Sequence, residues 1–89
     1  LDKEELTVTK EELKRFGSLV IKMDKGSTDS YDAKRPHVSF VVNGHEKYAH
    51  IYLDEVDDLV GNNADEKEAI YWLRDNKERL IKKYNQYNR

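Results

Sequence analysis

The stretch Pro36-His37-Val38-Ser39-Phe40-Val41-Val42-Asn43-Gly44-His45 constrains the fold more than any other part of the chain. Valine and phenylalanine favour a pleated, half-buried surface, and Asn-Gly readily takes the positive φ angles that a two-residue hairpin turn needs. The turn therefore falls at Asn43-Gly44. Pairing Val42 with His45 sets Phe40 opposite Lys47, Ser39 opposite Tyr48, Val38 opposite Ala49 and His37 opposite His50. A four-residue loop, Asn43 to Glu46, slips the pairing by two along the partner strand and leaves each residue on the same face. Val38, Phe40, Ala49 and Ile51 then make an apolar face, and His37, Ser39, Tyr48, His50 and Tyr52 an outer one.

Elsewhere the punctuation is local. Thr9 followed by Glu12 is a capping-box pattern, and Val8 with Leu13 sits where a hydrophobic staple closes, which predicts a short helix over Lys10 to Phe16 ended by Gly17. Lys-Glu-Glu-Leu occurs at Lys3 and again at Lys10, but two copies are too few for a coiled coil. Leu19 to Met23 reads as a strand and Asp24 to Arg35 as a mobile loop, with residues 1–8 a frayed start. Lys47 to Leu53 is the second hairpin strand; Asp54 to Gly61 reads as a strand or extended turn, with one helical turn as the alternative. Asn63 with Glu66, or Asp65 with Glu68, caps a last helix whose Ile70, Leu73, Leu80, Ile81 and Tyr84 share one face. Its acids gather at the start and its bases towards the end, and Asp75-Arg79 and Glu78-Lys82 have i,i+4 spacing. Trp72 lies off that stripe and either widens the core face or forms an exposed anchor. The expected architecture is α+β: one domain over residues 1–89, with an antiparallel sheet of three or four strands and a C-terminal helix across Val38, Phe40, Ala49 and Ile51.

At 89 residues only about 60% of the unfolded surface is buried on folding, so a deep catalytic cleft is not expected. Cysteine is absent, which excludes disulfides, a thiol nucleophile and thiolate metal sites and fits a cytoplasmic location. No run approaches the roughly 18 apolar residues of a membrane span, so no membrane partner is expected. Because the chain begins at Leu1 rather than methionine, a segment ahead of it, a targeting sequence included, stays open. A net charge of −2 argues against dominant nucleic-acid binding.

Phe16-Gly17 before Leu19 to Met23, Pro36-His37 at the hairpin, Gly61-Asn62 and the Trp72 to Tyr84 helix follow one another in an order that resembles the small bacterial family catalogued as domain of unknown function 4160. The likeness runs from about Leu13 to Tyr87, and it places Phe16 at or near a strand, in competition with the capped helix. Ser39 stands where that family usually carries a second histidine, Asn76 replaces a helix histidine and Tyr84 a tryptophan. The resemblance implies a neighbourhood rather than a mechanism: partner genes in toxin–antitoxin-like or mobile-element settings.

His37 and His50, on neighbouring strands, can converge on a metal with Glu46 or the Asp54 to Asp58 run, but a third strong ligand is not evident, so no metal or cofactor is assigned. Asp54, Glu55, Asp57 and Asp58 lack calcium-loop spacing and read as a solvated acidic rim. Arg74, Lys77, Lys82 and Lys83 with Tyr84 and Tyr87 have the composition of a nucleic-acid contact, although the helix dipole already explains their placement. No catalytic residue is assigned. The leading expectation is a non-catalytic interaction module that binds a protein partner through the outer sheet face of His37, Ser39, Tyr48, His50 and Tyr52. The alternatives are a small nucleic-acid-acting toxin or hydrolase using His37, and a phage- or element-encoded inhibitor. Oligomeric state is not readable at this level.

Overall fold

In the computed structural model, which describes residues 9–25 and 35–88, Asn43 and Gly44 have φ of 52° and 81°, and Val42 pairs with His45 across them. This turn joins β3 (His37–Val42) to β4 (His45–Tyr52). Two further strands, β1 (Thr9–Phe16) and β2 (Leu19–Lys25), precede them, and the sheet order is β1-β2-β3-β4 with every pair antiparallel. A 3-10 helix (Leu53–Asp58) leads from β4 to α1 (Ala64–Asp75) and α2 (Lys77–Tyr87). The protein is a small α+β fold. The expected frayed segment 1–8 and all but the ends of the expected loop lie outside the described residues; Asp24 and Lys25 belong to β2.

The expected helix over Lys10 to Phe16 is strand β1. Its capping pattern is a local preference, whereas pairing with β2 from Thr9↔Lys25 to Phe16↔Leu19 satisfies backbone groups along the segment. Gly17 has φ of 60°, and the positive angle that suits a helix stop serves equally in the Gly17-Ser18 hairpin turn.

The β3–β4 register contains both expected pairings. Val42↔His45 and Val41↔Glu46 follow the two-residue turn, while Val38↔Ile51 and His37↔Tyr52 follow the slipped register. Between them Phe40 pairs with Tyr48, so β4 shifts phase on either side of that pair. Tyr48 is thereby moved off the outer face expected for it and onto the Phe40 side, because a one-residue slip exchanges faces. The expected Phe40–Lys47 and Ser39–Tyr48 pairings do not form, and Ala49, expected in the apolar face, is exposed; its carbonyl accepts a hydrogen bond from Ser39 Oγ at 2.9 Å.

Leu19, Ile21 and Met23 of β2, with Val38, Phe40 and Ile51, meet Leu73 and Leu80 of the helices in one core, with Ile81 and Trp72 half-buried against it. Burying a side chain of this size contributes about 1.5–3 kcal/mol. Leu53 and Val56 are buried while Asp54, Glu55, Asp57 and Asp58 are exposed, which is the three-residue period of a 3-10 helix rather than the expected strand or extended turn. Asn63 caps α1 by accepting the Glu66 amide at 2.9 Å, the first of the two caps expected. The single expected C-terminal helix is broken at Asn76, whose φ and ψ are −114° and 15°. Its side-chain amide donates to the Trp72 carbonyl at 2.8 Å, competing with the helical ladder. Arg79 donates to Asn76 Oδ1 at 3.1 Å, across the break that separates it from Asp75.

Candidate interaction surface

Two of the five outer-face residues are sealed. His37 and Ser39 are each 1% exposed. His37 Nδ1 lies 2.8 Å from the Arg35 carbonyl and Nε2 lies 3.2 Å from Asp24 Oδ2. A ring that donates to a carbonyl at one nitrogen and to a carboxylate at the other carries both protons, so this is an imidazolium–carboxylate pair. The hydrogen bond from His37, followed by that from Lys10, holds the Asp24 carboxyl down at about 2. Lys10 Nζ is 2.5 Å from Asp24 Oδ1 and 3.4 Å from both Ser39 Oγ and Glu46 Oε2, so the polar network crosses all four strands. The His37 ring also meets those of His50 at 4.9 Å, Tyr84 at 5.2 Å and Tyr52 at 5.9 Å. The arrangement pins one end of the sheet. A partner cannot touch His37 or Ser39 as they stand, and the Ser39 hydroxyl donates to a carbonyl rather than to a base.

The other three do come together. Tyr48, His50 and Tyr52 line a cavity of about 230 Å³ beside β4, with Phe40, Ile51, Leu59, Val60, Ile70, Glu55 and Glu66. Tyr48 packs edge-on against Phe40 at 6.1 Å and accepts from Asn62 Nδ2 at 3.2 Å. Tyr52 is covered by the Arg35 guanidinium at 3.8 Å, which also binds Asp54 and Glu55 at 3.0 and 2.8 Å. Under the cavity lies Glu66, only 2% exposed. One oxygen accepts from Lys47 Nζ at 2.6 Å and the other from the Asn62 amide at 2.9 Å, which together lower its pKa.

Leu59, Val60 and Ile70 also line a second cavity, of about 310 Å³, with Gly61, Lys67, Tyr71 and Arg74. Val60 is 84% exposed, Tyr71 61% and Tyr48 37%, and these are the exposed large hydrophobics among the described residues. Tyr48 borders the first cavity, Tyr71 the second and Val60 both.

The segment that presents Val60 is held from below. Arg74 donates to the carbonyls of Val56 and Leu59 at 2.9 Å and of Asp57 at 3.3 Å, satisfying the end of the 3-10 helix. Gly61 lies so close to α1 that a Cβ there would stand 2.7 Å from the Lys67 amide nitrogen. Leu59 is extended and half-buried, and alternation turns Val60 outward. Val60 was not singled out from the sequence, yet the signal was present. A three-residue period from Leu53 through Val56 to Leu59 leaves Val60 outside.

Of the helix residues considered for nucleic acid, Lys82 is exposed and the others are engaged with the protein. Arg74 binds carbonyls, Lys77 lies 3.5 Å from Asp57, Lys83 lies 3.4 Å from Glu11, Tyr84 is buried and Tyr87 donates to Glu11. Among the described residues no group of three or more His, Asp or Glu is disposed to hold a metal ion, and no helix is long and apolar enough to cross a membrane.

No family model, curated protein or solved structure matches the chain.

Proposed function

We propose that the chain is a non-catalytic protein-interaction module whose contact surface is the Tyr48–Val60–Tyr71 strip. The observation that carries this reading is the gathering of the exposed large hydrophobics onto one strip between two adjoining cavities. Exposed apolar residues are ordinarily scattered; a contiguous patch with tyrosines and a polar rim is the composition of a protein contact. The fixed Leu59–Gly61 backbone supports the reading too, because a pre-formed surface loses little entropy on binding. The resemblance to domain of unknown function 4160 adds the setting: a small cytoplasmic protein of a toxin–antitoxin-like or mobile-element system, acting through a protein partner.

Co-expression with the product of the neighbouring gene tests this. A stoichiometric complex is expected that survives purification, is weakened by Val60→Asp and is retained by Tyr52→Phe. RNA or DNA cleavage by the chain alone, abolished in His37→Ala, would overturn it in favour of the small toxin or hydrolase.

A further inference from the structure

The contact strip, read as a protein-binding surface, has a socket beside it: the cavity along β4 lined by Tyr48, His50 and Tyr52. At about 230 Å³ it is smaller than the roughly 300–1,000 Å³ clefts that take drug-sized ligands, and it suits one long side chain. Its walls are of three kinds. Phe40, Ile51, Leu59 and Ile70 supply apolar surface, the two tyrosines and His50 supply polar rings, and Glu55 and Glu66 supply carboxylates. Among the described residues no lysine or arginine lines it.

The chain's own cations show what these walls attract. The Arg35 guanidinium lies 3.8 Å from the centre of the Tyr52 ring while binding Glu55 at 2.8 Å and Asp54 at 3.0 Å. Lys47 Nζ lies 5.4 Å from the centre of the Tyr48 ring and 2.6 Å from Glu66 Oε2. Among the described residues, three carboxylates, Asp54, Glu55 and Glu66, thus share two cations, Arg35 and Lys47. One negative charge is left over beside apolar walls, where water screens it less than on open surface.

A cation on an apolar stem matches all three kinds of wall: its methylenes lie against the aliphatic surface and its head against rings and carboxylates. Arginine fits better than lysine, because a planar guanidinium stacks on a ring and donates to carboxylates at once, as Arg35 does at Tyr52. We infer that the cavity is a socket for an arginine side chain of the protein partner, an assignment that rests on the strip being a protein contact.

Nuclear magnetic resonance titration of the purified chain with acetyl-Gly-Arg-Gly-amide tests the socket, and the complex with the neighbouring-gene product tests the source of the arginine. The peptide is expected to bind saturably at about millimolar strength and to shift the signals of Tyr48, His50 and Tyr52. Its lysine and norleucine counterparts should bind about threefold and about tenfold more weakly. Tyr48→Leu should weaken the arginine peptide about fivefold and Glu55→Gln about threefold, with circular dichroism confirming that each variant is folded. Equal binding of the norleucine peptide, or no saturable binding of the arginine peptide, overturns the socket; equal binding of the lysine peptide overturns the choice of arginine. In the complex, Glu55→Lys should weaken association about tenfold. Asp57→Lys, the same change of charge on the same 3-10 helix but outside the cavity, should leave it nearly unchanged. No loss in Glu55→Lys, or an equal loss in both variants, overturns the partner as the source of the arginine. If the socket fails while the complex is still weakened by Val60→Asp, the contact surface stands without it. If no complex forms, the contact reading falls and the inferred occupant with it.

Discussion

His37 and Glu66 are both buried and both ionised, one paired with a carboxylate and the other with an ammonium, yet they do different work. His37 is enclosed by Asp24, His50, Tyr52 and Tyr84, and its partner Asp24 is itself 12% exposed. Glu66 meets an ammonium that is 41% exposed, at the foot of the cavity lined by Tyr48, His50 and Tyr52. Burial of both members of a pair commits it to holding the fold. Burial of one leaves the other available to the surface, and the carboxylate then holds Lys47 and the Asn62 backbone beside the cavity.

The contrast can be broken from its common wall first. Phe40 is buried in the core and lines the Glu66-side cavity, so Phe40→Ala should cost about 3–5 kcal/mol, a large share of the stability of so small a domain. Chemical denaturation measures it, and an unchanged midpoint would show the side chain to be solvated.

His37→Ala should cost about 3 kcal/mol by leaving the Asp24 carboxylate without its principal partner, and the double variant with Asp24→Asn should recover part of the loss. A simple sum of the two single effects in the cycle would mean that the pair is not coupled.

Acid sharpens the same point. A carboxyl at about 2 when folded, against an ordinary 3.8, is a depressed value. Its contribution, about 2 kcal/mol, is therefore complete above about pH 4 and is lost as pH falls through about 2. Asp24→Asn should flatten the stability profile in that window, whereas Glu66, also lowered, adds a loss of the same sign that the variant leaves in place.

The smallest effect is expected from Glu66→Gln. The amide oxygen can still accept from Asn62, and Lys47 can return to water, so about 1 kcal/mol should be lost in denaturation. A cost equal to that of His37→Ala would erase the distinction between the two pairs.

What could be read from the chain beforehand follows the range of the forces involved. Asn43-Gly44 declares its turn through two residues' own φ preferences, and Val38, Phe40 and Ile51 declare their face through period alone. Tyr48 did not, because its side depends on phase shifts associated with a hydrogen bond from Ser39 to Ala49 and one from Asn62, fourteen residues on. Thr9–Phe16 was misread for a related reason: the capping pattern is local and the strand partner is not. Of the predicted surface, Tyr48, His50 and Tyr52 stand around one cavity, while the burial of His37 and Ser39 depends on tertiary packing that no spacing encodes.

The irregular pairing of β4 has a last consequence, shared with the opposite side of the sheet. The β2–β3 ladder runs without a break, whereas β1 changes register between Glu12 and Lys14 and β4 does so around Phe40. The discontinuities thus sit on the two outermost strands. An outermost strand is a template along which a stranger can zip, and a template whose phase jumps cannot be copied by a regular strand without leaving donors and acceptors unmatched. Sheet growth from either margin is frustrated, so the molecule can expose a sticky valine without inviting a fibre.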